Sequence, residues 1–203
     1  HTDKIVFNSI SMTGDMDPGA AGAPSTYGNA IRVTAVNGTN NANLTLKNNS
    51  ILIDATISNT ADNRYYAISL PSTTYSFGTG GISNNNYYRN PANTQSLTGG
   101  QGVGTSNAAT TSYTNLSDWT AVFTADTGSI QSNPNYLSAT DLHISGAPNE
   151  SAGVTVAGVT VDIDGDTRPA TPDIGADEIT LAGPGTVQFS ATSYTDLEGN
   201  TAT

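Results

Sequence analysis

"NLTLKNNSILIDATI", residues 43–57, is the stretch on which the fold turns. Two apolar alternations flank a pair of asparagines. In the first, Leu44 and Leu46 share a side; in the second, Ile51, Ile53, Ala55 and Ile57 share one face and Leu52, Asp54 and Thr56 the other. Period-two alternation over roughly 4–7 residues is the mark of a half-buried strand. The joint between the strands is Asn48-Asn49, and asparagine tolerates left-handed backbone angles and can bond within its own turn. Working outward, "AIRVTAV" aligns Ile31 with Val33, and "YAISL" aligns Tyr66, Ile68 and Leu70. Between these strands stand "NGTNN", "NTADN", "FGTGG" and "SNNN", all strong turn chemistry. Asn84-Asn85-Asn86 precedes Tyr87-Tyr88 much as Asn48-Asn49 precedes "SILI", whereas the hairpin-closing Asn-Gly pair occurs once, at Asn37-Gly38. Asparagines at equivalent corners of a coiled parallel structure stack into amide ladders. The expectation is an all-β chain, a right-handed parallel β-helix rather than a sandwich. Residues 30–90 should pair in parallel, with Ile31, Leu44, Leu46, Ile53 and Ile68 inside.

The composition narrows the function classes. Of 203 residues, 35% are hydrophobic and only 11% are Asp, Glu, Lys or Arg, so the polarity comes from Asn, Thr, Ser and Gly. Disordered chains owe their polarity to charge and proline; here β-branched alternation persists, as in an ordered β protein. Seventeen acidic against six basic side chains give a net charge of -11, which repels phosphate backbones and anionic membranes. No nucleic-acid partner is expected. Zero cysteines exclude a disulfide framework and thiolate metal sites. No apolar run approaches the ~18 residues of a membrane span. The chain begins "HTDKIVF" without Met and is read as a piece of something longer.

Past residue 115 the pattern changes. "NLSDWTAVFTADTGSIQ" carries one short helix, capped by Ser117 or Asp118, with Trp119, Val122 and Phe123 on its apolar face. "AGPG", residues 182–185, reads as a linker, after which strand alternation restarts. Three parts follow: 1–181, helical coils and a closing cap; 182–185, the linker; and 186–203, a partial second domain.

Residues 115–178 resemble the closing segment of a family of secreted right-handed parallel β-helix proteins common in Bacteroidota. The Trp-containing segment, "SNPNYLSATDLHI" and the terminus "DIDGDTRPATPDIGADE" carry the resemblance. With "NLTLKNNSILI" and "GGISNNNYY" as the last helical coils, it extends over about residues 30–178. The family usually has Pro after DIDGD, where this chain has Thr167, and "SPAI" where this chain has "GAPNES". "GTVQFSATSYTDLEGNTAT" is similar to the opening strands of a Calx-β domain, a calcium-binding sandwich. That resemblance implies Glu198 as a calcium ligand, with the remaining ligands beyond Thr203.

The acidic run 161–179 holds six of the seventeen acidic residues and one Arg. It supports two readings. Asp162, Asp164 and Asp166 have the 1, 3, 5 spacing of a calcium loop, with Asp173 at position 12. Against calcium, Thr167 stands where Gly should make the sharp turn, position 12 is not Glu, and no flanking helices are evident. In the other reading Arg168 neutralises the carboxylates, through Asp162 or Asp177. Ile163 and Ile174 are then buried, and the run plugs the exposed edge of the last coil.

No catalytic set emerges. Asp54 alternates with Ile53 and points to solvent, and His143 reads as a solvent-facing strand residue far from His1. The pairs Tyr65-Tyr66 and Tyr87-Tyr88 each put one ring outward, packing on loops or stacking on sugars. The expected function is a non-catalytic module of a large secreted or cell-surface protein, such as an adhesin or a gliding or filament component. Its partners would be other modules of the same chain, surface glycans or other cell-surface proteins. The alternative is the end of a carbohydrate-active β-helix enzyme, a polysaccharide lyase or glycoside hydrolase, or a glycan-binding module.

Overall fold

The computed structural model describes residues 3–16, 27–34, 40–41, 44–56, 63–78, 80–103, 109–146 and 148–179. Ile57, the linker 182–185, the segment 186–203 and Glu198 lie outside the described residues.

The protein is all-β, with one short helix among the described residues. The strands fall into a repeated order. A first circuit contains β1 (Asp3–Val6), β2 (Ser9–Asp15), β3 (Tyr27–Arg32) and β4 (Asn40–Asn41). A second contains β5 (Leu44–Lys47), β6 (Ser50–Thr56), β7 (Arg64–Ser69) and β8 (Ser76–Phe77). A third contains β9 (Ile82–Ser83), β10 (Asn86–Arg89) and β11 (Ser96–Gln101). Strands in the same place of each circuit pair in parallel: β1-β5-β9, β2-β6-β10, β3-β7-β11 and β4-β8. The parallel pairing expected for residues 30–90 is the pairing observed.

The register stacks like on like. Ile5, Leu46 and Ile82 form one row, and Ile10, Ile51 and Tyr87 another. Ile31, Leu44, Leu46, Ile53 and Ile68 are buried in one apolar core, as expected. In β6 the faces divide as the sequence suggested, with Ile51, Ile53 and Ala55 buried and Leu52, Asp54 and Thr56 more open. In β7 they do not: residues 65–70 are all buried. Tyr65 and Tyr66 therefore present no outward ring: Tyr65 packs in the core, while the Tyr66 ring lies along Gly100 and its phenol meets Ser112 Oγ at 3.2 Å on β12 (Thr111–Tyr113), which extends the sheet antiparallel to β11. Of the second pair, Tyr87 is buried and Tyr88 half-buried.

The corner between the first and second strands of each circuit carries the asparagine ladder. Asn8 Nδ2 donates to Asn49 Oδ1 at 2.8 Å, and Asn49 Nδ2 donates to Asn85 Oδ1 at 3.0 Å. The ladder closes where Asn85 N donates to Ser129 Oγ at 2.8 Å. Just before each rung, Phe7, Asn48 and Asn84 hold φ values of 56°, 56° and 52°. Left-handed backbone costs a non-glycine residue about 1–2 kcal/mol, least for Asn, so the three corners are shaped by a common need.

The last circuit is closed by the helix α1 (Leu116–Val122). Trp119 is fully buried and lies flat on Gly99 of β11, where a Cβ would sit 2.4 Å from its ring. Phe123 stacks at 4.1 Å and Tyr113 meets the indole edge-on at 5.6 Å. The expected cap and face need correction. Asn115 is the N-cap, and Asp118 at N3 accepts its backbone N–H at 3.3 Å. The Asn115 amide oxygen is taken by Arg89 Nη2 at 2.9 Å, and Gln131 Oε1 receives the Leu116 N–H at 3.1 Å. Val122 faces solvent because the buried side of so short a helix is filled by Trp119. Beyond α1 the chain touches the stack again through bridges Ser83↔Thr127 and Asn86↔Ile130.

Residues 133–146 and 148–179 then run back along the asparagine corner with almost no regular structure. Ala152 O receives Asn84 Nδ2 at 3.1 Å, and Val154 exchanges bonds of 2.7 and 3.0 Å with the Asn48 amide. Farther along, Gly175 N donates to Asn48 O at 2.9 Å, Ala176 N to Ser9 Oγ at 3.0 Å, and Lys4 Nζ to Ala157 O at 2.8 Å. The segment thus spans all three circuits as a lateral strap. The plug expected over the last circuit is not there; α1 fills that place, and the acidic run sits against the first and second circuits.

Candidate functional site

A strap without regular structure must satisfy its backbone N–H groups some other way. Here carboxylates do it. Asp162 Oδ1 accepts from the N–H of Asp164 at 2.9 Å and of Asp166 at 2.8 Å, and its Oδ2 accepts from Glu178 N at 2.9 Å. Asp173 accepts from Ser151 N at 2.6 Å and Ile179 N at 2.7 Å. Glu178 accepts from Asp173 N at 2.9 and 3.1 Å, and Asp177 Oδ2 from Ile144 N at 2.9 Å. Burial pushes the Asp162 carboxyl up, but the N–H groups of Glu178, Asp166, Asp164 and Gly165 outweigh it, and it sits below its ordinary value.

Arg168 is the hub of the strap. Its Nη1 binds Glu178 Oε1, with side chains 4% and 5% exposed respectively. Nη2 donates to Gly175 O at 3.1 Å and Ala176 O at 2.9 Å, and the guanidinium lies 3.9 Å above the Phe7 ring. The residue at the left-handed corner of the first circuit therefore binds the strap through its ring, where Asn48 and Asn84 use amides. The expected partners, Asp162 and Asp177, are not Arg168's: Asp162 accepts three backbone N–H groups and Asp177 accepts one, from Ile144. Glu178 has its carboxyl pushed up by burial, against the pull of the Asp173 N–H and of Arg168. Ile174 is fully buried, but Ile163 is 70% exposed, since the turn held by Asp162 carries it outward.

The predicted calcium residues do not stay together as a set. Asp162 is occupied with backbone, and Asp166 is exposed. Asp164 meets a residue that no spacing pairs with it. His143 Nε2 lies 2.9 Å from Asp164 Oδ2, and His143 Nδ1 contacts Asp141 Oδ1. His143, Asp164 and Asp177 each offer a ligand atom, all within 4.8 Å of one another. The imidazole is held in its charged form by Asp141, then Asp164, and its pKa is pushed up from 6.5 to about 9. Asp177 is raised by burial, with Ile144's N–H and the His143 charge opposing. The short spacing of Asp141 and His143 was the one local signal; Asp164 and Asp177 arrive only through the path of the strap.

A second surface lies on the outer side of the β2-β6-β10 sheet. Tyr88, Leu52 and Ser11 form one row across it. Ser11 and Leu52 of this row, with Thr13, Asp54, Tyr136 and Leu137, line an open groove of about 610 Å³ between sheet and strap. Asp54 is held there by Asn90 Nδ2 at 2.7 Å rather than pointing freely to solvent. No helix among the described residues is long and apolar enough to cross a membrane. Compared with known proteins, the chain matches no family model, no curated protein and no solved structure.

Proposed function

We propose that this chain is the end of a right-handed parallel β-helix, serving as a non-catalytic structural or adhesive module of a large secreted or cell-surface bacterial protein. The observation that carries this reading is the use of the acidic residues. Asp162, Asp173, Asp177 and Glu178 accept backbone N–H groups and hold the strap to the stack, which is work for a rigid building unit. Three circuits in register, joined by an asparagine ladder, support the helical architecture. Such stacks present long polar surfaces and join end to end with neighbouring modules.

The groove lined by Leu52, Tyr136 and Leu137 favours a second reading, a glycan-binding module, since flat apolar groups beside polar ones suit sugar rings. One experiment separates these readings from an enzyme. The protein is incubated with pectin, alginate and chitin-type polymers, and binding and bond cleavage are measured together. The expected result is no new reducing ends or unsaturated uronates. Release that Asp54→Asn abolishes establishes a carbohydrate-active enzyme instead.

A further inference from the structure

We infer that His143, Asp164 and Asp177 form a site for one zinc-class divalent cation, with Asp141 as the positioning residue behind the imidazole. Four observations carry it. The first is the donor set, one imidazole nitrogen and two carboxylates whose ligand atoms lie within 4.8 Å of one another. A tetrahedral zinc holds nitrogen and oxygen ligands at about 2.0–2.2 Å, hence roughly 3.4 Å apart, so shifts of about 1 Å bring the three into place. Second, Asp141 Oδ1 engages Nδ1, which leaves Nε2 to face Asp164. A carboxylate behind a ligating histidine fixes the tautomer and strengthens the donor.

Third, Asp177 is only 8% exposed and accepts one hydrogen bond, from Ile144 N to Oδ2. Its other oxygen accepts none among the described residues and is not sealed off from the cavity that Asp177 lines, so it stays open to a ligand. Fourth, this carboxylate lines an open cavity of about 310 Å³ together with Asp141, His143, Asp164 and the exposed Ile163, so an ion can reach it. The run's single Arg gives no charge relief there, being bound to Glu178.

The imidazole decides which ion. Calcium and magnesium take hard oxygen ligands, calcium about six to eight of them, whereas imidazole with carboxylate suits zinc and its neighbours. An ion here would tie residues 141–143 to two later points of the strap and cross-link it against itself.

The test uses tag-free protein, so that no added histidines compete. Equilibrium dialysis against ZnCl2 and against CaCl2 is read with the melting temperature and with nitrogen NMR of the His143 ring. The expected result is one zinc per chain, a higher melting temperature, and metal on Nε2 with the proton kept on Nδ1. His143→Gln and Asp164→Asn should each abolish stoichiometric binding. Asp164 is 56% exposed at its side chain, so its variant should fold as the parent does. Asp141→Asn should weaken binding by about 10–100-fold. Three results would overturn the inference: no zinc at equimolar level, zinc retained in both His143→Gln and Asp164→Asn, or a thermal shift produced by calcium and not by zinc.

Discussion

The stacked body and the strap reach order by opposite routes. In the body the described strands find their hydrogen-bond partners one circuit away, and side chains stack in rows such as Ile10, Ile51 and Tyr87. In the strap, backbone N–H groups find carboxylates: three on Asp162, two on Asp173, and Asp173's own on Glu178. Repetition makes the body tolerant, because a lost rung leaves its neighbours in register. The strap has no repeat, so its order converges on few residues, Arg168 above all. A region built from chain-specific hydrogen bonds should fail at single points, and a ladder should fail by degrees.

The largest effects should come from one residue in each region. Trp119→Ala removes the fully buried indole that closes the core and should cost about 3–5 kcal/mol. Arg168→Ala leaves Glu178 buried without its partner and should cost a similar ~3–5 kcal/mol. Adding Glu178→Gln to Arg168→Ala should recover part of that loss, because the orphaned charge is gone. Equilibrium denaturation of the three variants checks both points. A cost for Arg168→Ala at or below about 1 kcal/mol, the range of exposed pairs, would remove the hub from the strap.

The ladder supplies the middle effect. Asn49 is fully buried and bonds both Asn8 and Asn85, so Asn49→Ala should cost about 1–3 kcal/mol by leaving amide groups unpaired. Asn8 is exposed at the end of the ladder, and Asn8→Ala should cost distinctly less on the same denaturation curves. Equal costs would mean that the rungs act independently of their depth.

The smallest effect is a pH slope. His143 is raised from 6.5 to about 9 by Asp141 and Asp164. A base that binds its proton more tightly when folded stabilises fully below its unfolded pKa and loses that contribution as pH rises through the folded one. With chelator present, the melting temperature should therefore decline between pH 6.5 and about 9 by more in the parent than in His143→Gln. Parallel curves for the two proteins would show that the imidazole contributes nothing to the strap's hold.

What was legible in the sequence follows the same division. The β6 alternation and the paired asparagines are local signals, and they located the strands, the buried isoleucines and the ladder. Tyr66 misled because the strand its phenol reaches, β12, comes from about fifty residues later, and alternation says nothing about what a neighbouring strand will bring alongside a ring. The strap was harder. Its composition announced a structured acidic segment with Arg168 at its centre. Yet Glu178 as the partner, Ile163 as an exposed residue and the meeting of His143 with Asp164 all depend on the path of an aperiodic chain. The choice between a plug over the last circuit and a strap along the side lay in Phe7, Asn48 and Asn84, whose left-handed corners offer the surface to which the strap binds.

Hydrogen exchange of the parent protein and Arg168→Ala, compared peptide by peptide, tests the lateral strap most directly. With a lateral strap, protection falls in residues 148–179 and in the first circuit around Phe7 and Ser9. The strands β6, β7, β10 and β11 and the helix α1 should keep theirs. Loss of protection concentrated at β11 and α1, with the first circuit unchanged, would contradict it and restore the acidic run as a plug over the end of the stack.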